Sequence, residues 1–206
     1  MERKIFSAKL PSADFHDHHR INLLRIFQMK IAVTQNETTI NNRVYDCLEI
    51  AWYKFLAGHE IIIVPNIGTF NLNVDLIIFS GGNHIINRRP TEVACYDYAI
   101  TNNIPMLGIC HGAFFLNYML GGKNGKVNGH YGTEHTITME ESTHSINSYH
   151  RLCLEEIGPD TIPIAWTADH TEAFKHITRP IWGIVWHPER MTVPVMPYNI
   201  TKLLQI

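Results

Sequence analysis

Two short segments of this chain carry the residue types of acyl-transfer chemistry. Gly108-Ile109-Cys110-His111-Gly112-Ala113 follows an apolar run, Ile104-Pro105-Met106-Leu107, and leads into a helix-like one, Phe114 to Leu120. Strand, small residue, nucleophile, small residue, helix is the order of a nucleophile elbow, a turn so tight that only small residues fit beside the nucleophile. At the first turn of a helix, N–H groups and the helix dipole favour a thiolate over a thiol. The second segment, Trp182 to Glu189, reads as a buried strand ending in His187-Pro188-Glu189. In an extended segment, residues i and i+2 point the same way. Pro188 favours that conformation for His187, so Glu189 is expected to orient the imidazole. Cys110, His187 and Glu189 then supply nucleophile, general base and orienting carboxylate.

Several elements must position these groups. Lys30 to Gln35 reads as a first strand, Glu60 to Val64 as a second and Asp75 to Phe79 as a third, running into Ser80-Gly81-Gly82-Asn83. The stretch from Asn41 to Ala57 places Val44, Leu48, Ala51, Trp52 and Phe55 on one helical face, with Gly58 as a stop, and so predicts an amphipathic helix. Pro90 opens a further helix through about Asn102, and Gly121-Gly122-Lys123 closes the elbow helix. Apolar strands alternating with helices imply a parallel sheet covered on both faces, with ligands beyond the carboxyl ends of its strands. The second half predicts short strands over Glu134 to Met139, Ser145 to Tyr149, Ile162 to Thr167, Glu172 to His176 and Ile181 to Trp186. The fold class is therefore α/β, with antiparallel strands added in the C-terminal half.

G-I-C-x-G followed by W-H-P-E resembles the class I glutamine amidotransferase superfamily, and within it the single-domain branch that hydrolyses γ-glutamyl amides. The resemblance covers roughly Met29 to the C-terminus. It implies a flavodoxin-like three-layer fold, a thioester on Cys110, and an oxyanion hole made by the backbone N–H groups of Gly82 and His111. Asn147-Ser148-Tyr149-His150 resembles that branch's N-S-x-H segment beside the substrate pocket, which makes Asn147, Ser148 and His150 substrate-binding candidates. Phe114 stands where the family usually carries a glutamine that holds the glutamyl group, and His111 where many hydrolases of the branch have arginine. The aromatic at 114 removes polar recognition and argues against free glutamine as the substrate. His130 and His135 match family positions only loosely and receive no role.

The composition fits such an enzyme. The chain has 206 residues, 45% of them hydrophobic and 17% charged, enough for a core in a single domain. A formal net charge of -2 gives no electrostatic reason to expect nucleic acid or an anionic membrane as a partner. No apolar run reaches the length of a membrane span. Cys47, Cys95, Cys110 and Cys153 show no C-x-x-C spacing, and the first residues have no signal-peptide core; free thiols in a reducing cytoplasm are the expectation. Cys47 and Cys95, inside helical patterns, read as small buried hydrophobes. Residues 1–28, with His16, His18 and His19, differ from the rest; they read as an N-terminal extension, partly helical over Arg20 to Phe27, before a domain spanning 29–206. A metal site there is not expected, nor any cofactor.

Three functions are compatible with these features. The first is a free-standing hydrolase releasing glutamate and an amine from a γ-glutamyl compound, such as the γ-glutamyl-CDP-amidate of capsule phosphoramidate synthesis. The second is a glutaminase subunit delivering ammonia to a separate synthetase partner. The third is a non-catalytic binding protein that keeps the fold, for which Phe114 is the sole argument. The partner of the site is a small γ-glutamyl molecule; a synthetase or a second copy of the chain are the macromolecular partners such a fold takes.

Overall fold

In a computed structural model, the protein is described over residues 28–67, 72–82 and 88–205. The elements in chain order are β1 (Lys30–Thr34), β2 (Asn36–Ile40), β3 (Arg43–Cys47), α1 (Ala51–Phe55), β4 (Glu60–Val64), β5 (Leu76–Phe79), α2 (Arg88–Asn102), β6 (Met106–Ile109) and α3 (His111–Met119). They continue with β7 (Lys123–Lys126), β8 (Tyr131–Met139), β9 (Ser142–Tyr149), β10 (Leu152–Glu156), β11 (Thr161–Trp166), β12 (Thr171–His176), β13 (Ile181–Ile184) and α4 (Tyr198–Leu204). The N-terminal extension, its expected helix and its three histidines lie outside the described residues.

The main sheet runs β4-β1-β5-β6-β13-β12-β11-β8-β9, with β10 bridging β12 and β7. From β4 to β13 the pairs are parallel, and from β13 to β9 antiparallel. Alternation along the parallel strands feeds two cores. Ile31, Val33, Ile78, Leu107 and Ile109 face one side, with Trp52 and Phe55 of α1 and Ile200 and Leu204 of α4. Ala32, Ile77, Phe79 and Met106 face the other, with Cys95 and Ala99 of α2 and Phe114, Phe115 and Leu116 of α3. β1, β5 and β6 are buried on both faces, as near-continuous apolar runs require. β4 is the edge, and its Ile63 is left exposed.

The expected helix over Asn41 to Ala57 is corrected. Asn36 to Cys47 form a separate β2–β3 hairpin, and only Ala51–Phe55 are helical. Asn41 and Asn42 both take positive φ, 49° and 60°, the mirror-image turn that matches strand twist and that asparagine tolerates well. The Thr- and Val-bearing flanks then pair rather than coil, and Val44 is exposed instead of buried. Cys47 accordingly ends a strand, while Cys95 lies buried in α2 as expected. Glu140 and Glu141, φ 50° and 62°, make the same kind of turn between β8 and β9.

Candidate active site

Three neighbouring parallel strands deliver the site. Phe79 of β5 is level with Gly108 of β6, and Ile109 of β6 with Ile184 of β13. Ser80-Gly81-Gly82, Cys110 and His187 therefore all leave the sheet at adjacent carboxyl ends, where open α/β sheets bind ligands. Cys110 sits between β6 and α3, its N–H donating to the Ile184 carbonyl at 2.7 Å. Its backbone, φ 51° and ψ −104°, is a strained conformation for a residue with a side chain, the signature of an elbow. A Cβ on Gly112 would overlap the Phe79 carbonyl, so the turn excludes larger residues there.

His187 is 2% exposed, and its Nδ1 lies 2.6 Å from Oε1 of Glu189. Burial works against a charge on His187. Hydrogen bonds and charge from Cys110 and Glu189 outweigh it and raise the imidazole to about 9. The arrangement favours an imidazolium beside the sulfur. The route by which Glu189 reaches His187 differs from the expected one. The strand stops at Ile184, and Pro188–Arg190 form a 3-10 turn, so the carboxylate folds back rather than standing beside the ring along an extended segment. Arg190 fixes that turn from outside through Glu49, at 2.7 and 2.9 Å.

The glycine turn packs directly on these groups. A Cβ on Gly81 would stand 2.5 Å from Cε1 of His187 and 3.5 Å from Cβ of Cys110. Gly82, at φ 126°, holds a conformation that side-chain-bearing residues avoid. Beneath it lies Arg88, fully buried, whose guanidinium donates to the carbonyls of Ser80 and Gly81 at 3.1 and 3.3 Å. Burial lowers the Arg88 pKa, and the charge and hydrogen bond of Glu92 oppose that fall; the two are 3.0 Å apart. Glu92 also meets Nε2 of His111 at 3.0 Å. The side chain of His111 is thus part of a buried Arg88–Glu92–His111 network, and its backbone N–H belongs to the first turn of α3. Sequence reasoning passed over Arg88 and Glu92, although an Arg and a Glu four apart at a helix start share one face.

A pocket of ≈ 220 Å³ opens beside Cys110, lined by Gly82, His111, Phe114, Tyr131, Tyr149, His150, Arg151 and Leu152. Phe114 and His150 are neighbours in its lining, ring centres 6.1 Å apart. Burial lowers the His150 pKa, with Glu172 acting in the opposite sense. A larger depression, ≈ 730 Å³, lies between α1 and the Met191–Pro194 segment; it reaches Glu189 and Arg190 but not Cys110, and its lining holds no cysteine or histidine. Asn147 and Ser148, expected to bind substrate, have partners within the protein. Neither is in the pocket lining: Asn147 spends its amide on the backbone of His187, and the Ser148 hydroxyl donates to the His130 carbonyl. Tyr131, Tyr149 and Arg151, which do line it, come from the β8–β9 region; Tyr149 is the variable residue of the N-S-x-H segment, while Tyr131 and Arg151 have no local signal in the sequence. Among the described residues no helix is long and apolar enough to cross a membrane.

A family model, glutamine amidotransferase class-I, matches residues 21–202. The γ-glutamyl-CDP-amidate hydrolase of Campylobacter jejuni is 30% identical over 127 residues, covering 57% of this chain and 63% of that protein. The chain thus spans under two thirds of that relative. A chain of the glutamine-hydrolysing GMP synthase from Methanothrix thermoacetophila is 27% identical over 172 residues, covering 78% of this chain and 89% of that one. A solved glutamine amidotransferase from Thermotoga maritima superposes with a TM-score of 0.60 at 12% identity, over 79% of this chain and 76% of that one, a likeness of fold.

Proposed function

We propose that this chain, which belongs to the class I glutamine amidotransferase family, is a cysteine hydrolase that cleaves the side-chain amide of a γ-glutamyl compound. The observation that carries the reading is the line from Cys110 through His187 to Glu189 at the mouth of a pocket. Nδ1 of His187 is engaged with Glu189, which leaves Nε2 for proton exchange with the sulfur. Sγ of Cys110 attacks the amide carbon, and the resulting oxyanion is held by the N–H groups of His111 and Gly82, each worth on the order of 3 kcal/mol of barrier. The C–N bond breaks as His187 gives its proton to the departing nitrogen. Water then attacks the thioester, His187 takes its proton, and glutamate leaves with the thiol restored.

The substrate is a γ-glutamyl amide with a large leaving group, of the kind named for the Campylobacter jejuni relative. Tyr131, Tyr149 and Arg151 give the pocket aromatic faces and a cation, suited to a leaving group bigger than ammonia. The GMP synthase relatives favour a second reading, a glutaminase that serves a separate synthetase chain. Incubating the purified protein with glutamine and with γ-glutamyl-CDP-amidate, and following glutamate, separates the two. The hydrolase reading expects release from the amidate and little from glutamine; the glutaminase reading expects glutamine to be turned over when a synthetase is added. Cys110→Ala should lower either activity by ~10³-fold or more while keeping the melting temperature. Absence of glutamate release from both substrates, or an active Cys110→Ala protein, would overturn the proposal.

A further inference from the structure

A second cluster of chemistry-bearing groups lies behind the pocket wall. His130, just before β8, His135 within β8, His150, just after β9, and Glu172 of β12 converge from three strands. Nδ1 of His130 and Nε2 of His135 each stand 3.7 Å from Oε1 of Glu172. Nε2 of His150 is 3.6 Å from Oε2 of the same carboxylate and 3.4 Å from Nδ1 of His130. The three nitrogen–oxygen separations are too long for hydrogen bonds, which run about 2.7–3.2 Å. One donor atom each from His130, His135 and Glu172 lies within 4.8 Å of the other two, near the spacing around a tetrahedral ion. Bonds of about 2.0–2.2 Å put neighbouring ligands roughly 3.3–3.6 Å apart.

Two of these groups carry unpartnered buried atoms. Glu172 is 1% exposed, and its Oε2 has no hydrogen-bond partner among the described residues; nor has the buried Nε2 of His135. A buried carboxylate left so is costly unless something compensates it. His150 donates from Nδ1 to the Leu152 carbonyl at 2.7 Å, which fixes the tautomer whose Nε2 lone pair points at the cluster. That backbone hydrogen bond on the far nitrogen is the usual outer partner of a metal-bound histidine. His130 is held from behind, its carbonyl accepting from the N–H of His150 at 3.2 Å and from the Ser148 hydroxyl.

We propose that His130, His135 and Glu172 form a binding site for a divalent transition-metal ion, zinc by its donor set of two imidazoles and one carboxylate, with His150 at its edge. These three protein ligands leave one position of a tetrahedral ion open, and the ion would tie β8 to β12, with Nε2 of His150 beside it at 3.4 Å from Nδ1 of His130. Because His150 also lines the Cys110 pocket, the ion would set the position of that wall. The inference stands apart from the hydrolase reading, since metal uptake is measured without turnover.

The test uses the full chain carrying Cys110→Ala with His16, His18 and His19 changed to Asn, so that neither the thiol nor the N-terminal histidines compete. Zinc titration against a chromophoric chelator should show one tight equivalent and a raised melting temperature. Adding Glu172→Gln or His135→Gln should weaken that equivalent by more than the ~10–100-fold that loss of an outer partner costs. Cobalt(II) in the parent protein should give the intense visible bands of a tetrahedral site, which requires no further variant to fold. No zinc uptake by the parent, uptake unchanged by Glu172→Gln, or a weak octahedral cobalt spectrum would overturn the proposal. Any of these would leave the four groups as a proton-sharing network.

Discussion

Asn147 closes two hydrogen bonds of 2.8 Å on the backbone of His187, its Nδ2 donating to the carbonyl and its Oδ1 accepting from the N–H. A side chain on β9 thereby fixes the main chain of a residue forty positions later. The strand that would otherwise fix it, β13, has already ended at Ile184. Asn147→Ala should free His187 to drift and lower kcat on the order of 10–10²-fold, the scale of a misplacement near 1 Å. KM should change less, because Asn147 does not line the pocket. Steady-state kinetics on a cleaved γ-glutamyl amide check this; a shift in KM alone would return Asn147 to substrate binding.

Glu189 makes the pH dependence specific. His187 is raised to about 9 although burial lowers it, with Cys110 and Glu189 supplying the rise. On the proposed hydrolase mechanism, loss of the imidazolium proton would remove the acid that serves the departing nitrogen, so kcat/KM should fall on an alkaline limb near that value, belonging to the coupled pair rather than to one group. Glu189→Gln removes one of the raising causes; the limb should move to lower pH and kcat should drop. A pH–rate profile of the variant superimposable on the parent would show that Glu189 is not the orienting group. The linkage to folding has the same sign. A histidine raised in the folded state contributes its stability in full below its unfolded pKa of about 6.5 and loses it as pH rises through about 9. Melting temperatures across that window should decline more in the parent than in Glu189→Gln.

Gly81 has no room for a methyl group. Its Cβ would meet Cε1 of His187 at 2.5 Å, and that ring is held by Glu189 on one side and Cys110 on the other. Gly81→Ala should therefore cost about 1–3 kcal/mol of stability as overpacking and lower kcat/KM by roughly 10²-fold through displacement of the imidazole. Activity loss out of proportion to the melting shift is the expected pattern. An alanine variant of parental rate would place His187 farther from the glycine turn than the geometry has it.

Phe114 tests substrate class. It lies against His150 in the pocket wall and offers no hydrogen bond. Free glutamine should be hydrolysed poorly and larger γ-glutamyl amides better in kcat/KM. Phe114→Gln should narrow the gap by raising glutamine turnover. Efficient glutaminase activity in the unaltered protein would favour the synthetase-paired reading instead.

The local order of strand, glycines, cysteine and helix was enough to identify the elbow around Cys110, because sterics of that turn are set by residues within three positions of each other. The parallel half of the sheet was legible for a similar reason: strands buried on both faces must be apolar throughout, and β1, β5 and β6 are. The hairpin from Asn36 to Cys47 was not, since a helical face and a two-residue asparagine turn compete within one short window, and the turn prevailed. Side chains whose partners lie far along the chain were beyond reach of any periodicity. Asn147 and Ser148 resembled pocket residues by motif, yet sheet register turned them onto His187 and His130. His130, His135, His150 and Glu172 were scattered polar residues in the sequence. Only the antiparallel addition of β8, β9 and β12 brings them within 4 Å of a shared carboxylate. Contacts of that kind depend on which strands pair and in what register, and tertiary packing alone decides it.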